Sequence, residues 1–142
     1  MYKDLIQSIK SAIENVKAIE IVYPNPLKDG EKIKKYPAVV FFPDAVSNSF
    51  ETTRDNKKDF TFKIYVIVNC NNDTMANIFT NTLPNAVDKV MEQFDENWEV
   101  SVTGASVSSW VIDSGNWSVS SSDAGFEAVA ELNLRVRMLV GV

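Results

Sequence analysis

The chain of 142 residues contains no histidine. That absence removes the commonest general acid or base near neutral pH and the commonest metal ligand. A Ser-His-Asp triad and a Cys-His pair are both impossible. Cysteine is reduced to Cys70, so no intrachain disulfide can form, zinc lacks its ligands, and a reducing cytoplasm is the simplest setting. The five glycines, Gly30, Gly104, Gly115, Gly125 and Gly141, are isolated from one another. Neither type of glycine-rich nucleotide loop can be built from them. No acidic stretch has the spacing of a calcium loop. The expectation is a protein with no cofactor, no metal and no enzymatic activity.

Long apolar runs are also missing. The opening segment carries a charge every few residues, from Lys3 and Asp4 to Lys17, unlike a signal peptide or a membrane span. The protein is therefore expected to stay where it is made, without a membrane partner. Positive charge is in deficit, with 14 Lys and Arg against 19 Asp and Glu, a net charge of -5. Nonspecific nucleic-acid affinity comes mainly from basic side chains on phosphates, so a binding surface for DNA is not expected. The one small basic cluster, Lys32, Lys34 and Lys35, reads as a solvated loop.

What is present suits a soluble globular chain: 45% of residues are apolar and 23% charged, and the length fits one domain spanning 1–142. Tyr2, Leu5, Ile6, Ile9, Ala12, Ile13 and Val16 recur at intervals of three and four, which predicts an amphipathic helix. Ile19, Ile21 and Val22 then suggest the start of a short strand. Residues 23–35, with Pro24, Pro26, Asp29 and Gly30, read as a surface loop. Ala38, Val39, Val40, Phe41 and Phe42 form an unbroken apolar run, the pattern of a strand covered on both faces. Residues 44–59 turn polar and predict a loop or hairpin tip. Phe60, Phe62, Ile64, Val66 and Val68 then alternate with more polar neighbours, so one face of that strand enters the core.

Asn71, Asn72, Asp73 and Thr74 offer helix-capping side chains, and Met75, Ile78, Phe79, Leu83, Val87, Val90, Met91 and Phe94 keep helical spacing. Pro84 inside that run predicts a kink or two abutting helices, because it removes a backbone donor. Residues 106–119 are rich in Val, Ile, Trp and Ser, and the turn residues 121–125 close them into a hairpin. Its second arm alternates from Phe126 through Ala128, Ala130, Leu132, Leu134 and Val136 to Met138, the strongest period-two signal in the chain. The expected fold is α+β, two helices on one face of a mainly antiparallel or mixed sheet, in the order α-β-β-α-β-β.

The carboxylates Asp88, Glu92, Asp95, Glu96 and Glu99 fall on the polar face and exit of the second helix, where solvent contact explains them better than a paired-carboxylate active site. Candidate protein-binding residues are Phe50 and Arg54 in the polar 44–59 stretch, and Trp110 and Trp117 in the terminal hairpin. Strict alternation puts the two tryptophans, seven apart, on opposite faces of the sheet. The outward one suits either a protein interface or a satellite cluster within the monomer. Phe50, the one bulky apolar residue of its stretch, leans towards an interface.

The layout as a whole resembles the tail terminator, or tail-completion, proteins of long-tailed bacteriophages and related head-to-tail joining proteins. The shared features are an opening amphipathic helix ending near Ile19, the strand entry Tyr36-Pro37-Ala38-Val39-Val40, a polar hairpin over 44–59, the strand over 60–68, a second helix, and a closing hairpin running to Met138. The resemblance implies a structural virion protein, made in the host cytoplasm, that self-associates into a ring, typically a hexamer. Such a ring caps the tail tube at the head-tail junction and presents a surface to the neck or head-completion protein, while DNA passes through its lumen without specific binding. A head-closure or other neck protein has the same size, acidity and lack of catalytic residues. A cellular α+β ligand-binding module is the remaining alternative.

Overall fold

A computed structural model describes residues 2–28, 31–50, 55–71, 73–100, 102–122 and 125–141. The elements run α1 (Tyr2–Glu14), β1 (Ile21–Tyr23), β2 (Ala38–Phe50), β3 (Asp55–Asn69), a second helix in three parts, β4 (Ala105–Ser122) and β5 (Gly125–Gly141). The second helix opens as α2 (Met75–Asn77), passes through a π-helical turn (Ile78–Thr82) and continues as α3 (Leu83–Asn97). The five strands form one mixed sheet in the order β1-β2-β3-β5-β4. β1 lies parallel to β2, and every other pair is antiparallel. The class is α+β as expected, but the order is corrected to α-β-β-β-α-β-β. The three residues of β1 add a strand that so short a run could only suggest.

α1 packs most of the predicted stripe inward, with Leu5, Ile9 and Ile13 fully buried and Ala12 nearly so, as is Val16 just past the helix, while Tyr2 stays exposed. The helix stops at Glu14 rather than near Ile19. Beyond it, Val16 N–H donates to Ile13 O and Ile19 N–H to Val16 O, tighter three-residue turns that carry the chain to β1. Phe60, Phe62, Ile64, Val66 and Val68 of β3 and the alternating residues from Ala128 to Met138 of β5 face α1 and α3 in one hydrophobic core. Phe41, Phe62 and Phe94 are its largest fully buried side chains, each contributing on the order of 1.5–3 kcal/mol by leaving water. β2 is covered on both faces where the apolar run predicts it: Val39 and Phe41 join that core, while Ala38 and Val40 are buried on the side away from the helices.

Thr74 caps the second helix by accepting from Asn77 N–H at 3.1 Å. Pro84 sits in the first turn of α3, where its missing donor costs least. The turn before it widens, and Leu83 N–H reaches back five residues to Ile78 O. The π-helical turn is thus the local answer to the proline, in place of a break between two helices.

The polar 44–59 stretch is mostly strand. β2 runs to Phe50 and β3 starts at Asp55, so the pairing continues well past the apolar residues. A long partner explains this: β5 pairs with β3 along its whole length, Asp55 opposite Gly141 through Asn69 opposite Glu127. A register shift between Pro43 and Ala45 leaves Asp44 outside the ladder.

Candidate interaction surface

The helix-free face of the sheet is crossed by polar contacts. Asp59 and Arg137 are opposite each other in β3 and β5, joined by two hydrogen bonds of 2.8 and 3.0 Å. Those bonds hold the Asp59 carboxyl below the usual carboxylate range, against the opposing effect of burial. Lys63 Nζ donates to Glu131 Oε1 at 2.8 Å and to Asn133 Oδ1 at 2.7 Å, and the Glu131 bond raises its pKa. Gly115 of β4 lies against this group. A Cβ there would stand 3.0 Å from Glu131 Oε1 and 3.1 Å from Asn133 Nδ2.

The two tryptophans are not on opposite faces. Ser114 opposes Leu132 and Trp117 opposes Ala130, so β4 spends three steps where β5 spends two. The extra residue, at Gly115 and Asn116, is a β-bulge that inverts the alternation after it. Trp110, opposite Val136, and Trp117, opposite Ala130, consequently share the helix-facing side.

Their surroundings differ. Trp110 belongs to the fold: its indole N–H donates to Phe94 O at 3.1 Å, and its ring meets Trp98 edge-on at 5.3 Å. Trp98 in turn meets Phe94 at 5.0 Å. Trp98 is 5% exposed, and its indole N–H is, among the described residues, a buried donor with no partner. Trp117 is 37% exposed, with its indole N–H on Ser114 Oγ at 2.8 Å. Val119, opposite Ala128, and Phe126 of β5 continue the same face and are also exposed. These three form an apolar patch at the edge of the sheet. Sequence reasoning missed Val119 and Phe126, although Phe126 opens the alternating run. Of the other candidates, Arg54 lies outside the described residues, and so does the side chain of Phe50, whose backbone ends β2 opposite Asn56.

Asp88, Glu92, Asp95, Glu96 and Glu99 are all exposed. Glu92 and Glu96 border an open groove of about 570 Å³ between α3 and the segment 15–18 that follows α1, together with Lys17 and Lys89. Lys89 stands 3.8 Å from Glu92 across its rim, an exposed pairing of the kind that orders little. Among the described residues no group of three or more His, Cys, Asp or Glu could hold a metal ion, and no helix is long and apolar enough to cross a membrane.

The sheet has open edges on both sides. β1 covers β2 only from Ala38 to Val40, so residues 41–50 border no further strand among those described. β4 is the opposite edge along all of its 18 residues. It contains no lysine or proline and one charge, Asp113, and so lacks the side chains that usually keep an edge from pairing. Comparison with models of known protein families and with curated proteins gives no match to this chain.

Proposed function

We propose that this chain is a non-enzymatic ring subunit of a tailed phage particle, a terminator that caps the tail tube and then receives the head's connector. The observation that carries the reading is the pair of open edges, β4 on one side of the sheet and the outer half of β2 on the other. Closing a ring requires two different patches on opposite sides of each subunit, since a single self-complementary patch stops at a dimer. The apolar patch of Trp117, Val119 and Phe126 adds a surface suited to a protein partner. The charges of the helix-free face are partly satisfied within it, Lys63 by Glu131 and Asp59 by Arg137. With the net charge of -5, this favours a surface past which DNA moves without adhering.

The test is native mass measurement of the purified chain, alone and mixed with tail tubes, followed by imaging of the tube ends. A closed oligomer seated on the ends is expected. A strict monomer that leaves the ends bare would refute the proposal, and copurification with portal and adaptor proteins instead of tube would favour a neck role.

A further inference from the structure

The open part of β2 lies level with the first half of β4, and the two run in opposite directions. Across the sheet, Phe50 opposes Asn56, Asn56 opposes Val140, and Val140 opposes Ala105. Further along, Val46, Phe60, Val136 and Trp110 share a row, as do Phe41, Ile64, Leu132 and Ser114. The uncovered part of β2 and the first half of β4 therefore end the same rows on opposite sides of the sheet. At the rows of Ala38 to Val40 the opposite edge becomes β1, and there β4 departs from the ladder at its Gly115–Asn116 bulge.

Direction follows from the antiparallel pairs. β2 and β5 run one way, and β3 and β4 the other. When a second copy is placed beside the first with the same end up and the helices on the same side, its β2 runs antiparallel to the first copy's β4. The alternation inside each sheet then continues across the junction, leaving no unpaired edge along the stretch that pairs. Pro43 lacks a donor and Asp44 is bulged, so a ladder can start only at Ala45. On the other side a register shift between Val107 and Ser109 leaves Ser108 of β4 out of step, so six residues of β2 face seven of β4.

We infer that residues 45–50 of β2 in one copy pair antiparallel with residues 105–111 of β4 in the next, so that the sheet is continuous from copy to copy. This junction rests on the ring reading for its closure, but the pairing is testable without a tail. Two double variants place cysteines on rows that meet across it: Ser47→Cys with Ser109→Cys, and Ser49→Cys with Ser106→Cys. Oxidation should give a covalent ladder that stops at one closed species for at least one pair. The four single variants and the parent, whose Cys70 is buried, should give none. A covalent dimer from Ser109→Cys or Ser106→Cys alone would mean that β4 meets β4 about a two-fold axis, which overturns the inference, as does the absence of a ladder from both pairs. Amide exchange of the unaltered protein, assembled against dissociated, is an independent check: because both stretches already pair within the subunit, added protection over 45–50 and 105–111 on assembly is expected, and no added protection there overturns the junction. A ladder without tube-end binding would refute the terminator role and leave the junction standing; tube-end binding without a ladder would do the reverse.

Discussion

The hydroxyl of Tyr36 donates to Glu127 Oε2 at 2.7 Å, linking the segment that leads into β2 to β5 across the helix-free side of β3. Burial, then the hydrogen bond to the Glu127 carboxylate, raises the Tyr36 pKa above its ordinary value. The unfolded chain ionises this phenol near pH 10. Its contribution is therefore complete below about pH 10 and is lost as pH rises beyond it. Tyr36→Phe should lower unfolding free energy by about 1–3 kcal/mol at neutral pH. The difference from the unaltered protein should shrink in urea titrations above about pH 10.

The Asp59–Arg137 pair carries the opposite pH signature. The depressed Asp59 pKa means that its contribution is present above the unfolded value of about 3.9 and is lost as pH falls through the lower folded value. Both side chains are partly exposed, at 21% and 43%, so Asp59→Asn is expected to cost only about 0.5–1 kcal/mol at pH 7. The deficit should vanish in acid, as read from urea midpoints between pH 7 and 2.

Gly125 has a φ of +111°, and a Cβ there would run into the side-chain amide of Asn71. Gly125→Ala should destabilise the protein by roughly 1–3 kcal/mol. Adding Asn71→Gly should recover the part due to the clash and leave the part due to backbone conformation. Thermal unfolding of the two variants separates them.

Trp98 tests the unpartnered indole N–H. Trp98→Phe deletes the donor and keeps an aromatic ring between Phe94 and Trp110, so the change should stay within about 1.5 kcal/mol. Trp98→Ala empties the site and should cost about 3–5 kcal/mol. Denaturant unfolding of both variants provides the comparison.

Trp117→Ser should leave fold stability within about 0.5 kcal/mol, because the ring is outside the core. If the patch it shares with Val119 and Phe126 meets a partner, attachment to tail-tube ends should fall at least tenfold in a sedimentation assay. Unchanged attachment would remove this patch from the proposed interface.

Much of the fold was legible in periodicity. The stripe of α1, the inward face of β3 and the run from Ala128 to Met138 are dictated by side chains that must leave water together, and the core contains them. The amphipathic pattern of the second helix survives Pro84 because a π-helical turn absorbs the missing donor. Local composition failed where pairing depends on a distant partner. Residues 44–50 and 55–59 look like loop, yet they form strand because β5 extends far enough to carry β3, and β3 carries β2. Alternation likewise counts residues and cannot see one that a neighbouring strand skips. The bulge at Gly115 and Asn116 therefore turned Trp117 to the side that counting excluded. What the residues determined alone was the apolar periodicity that supplies most of the core and which chemistry is unavailable without histidine. Which backbone edges stay open, at what level and in which direction, was decided by tertiary structure, because an edge is defined by the strand that is not beside it.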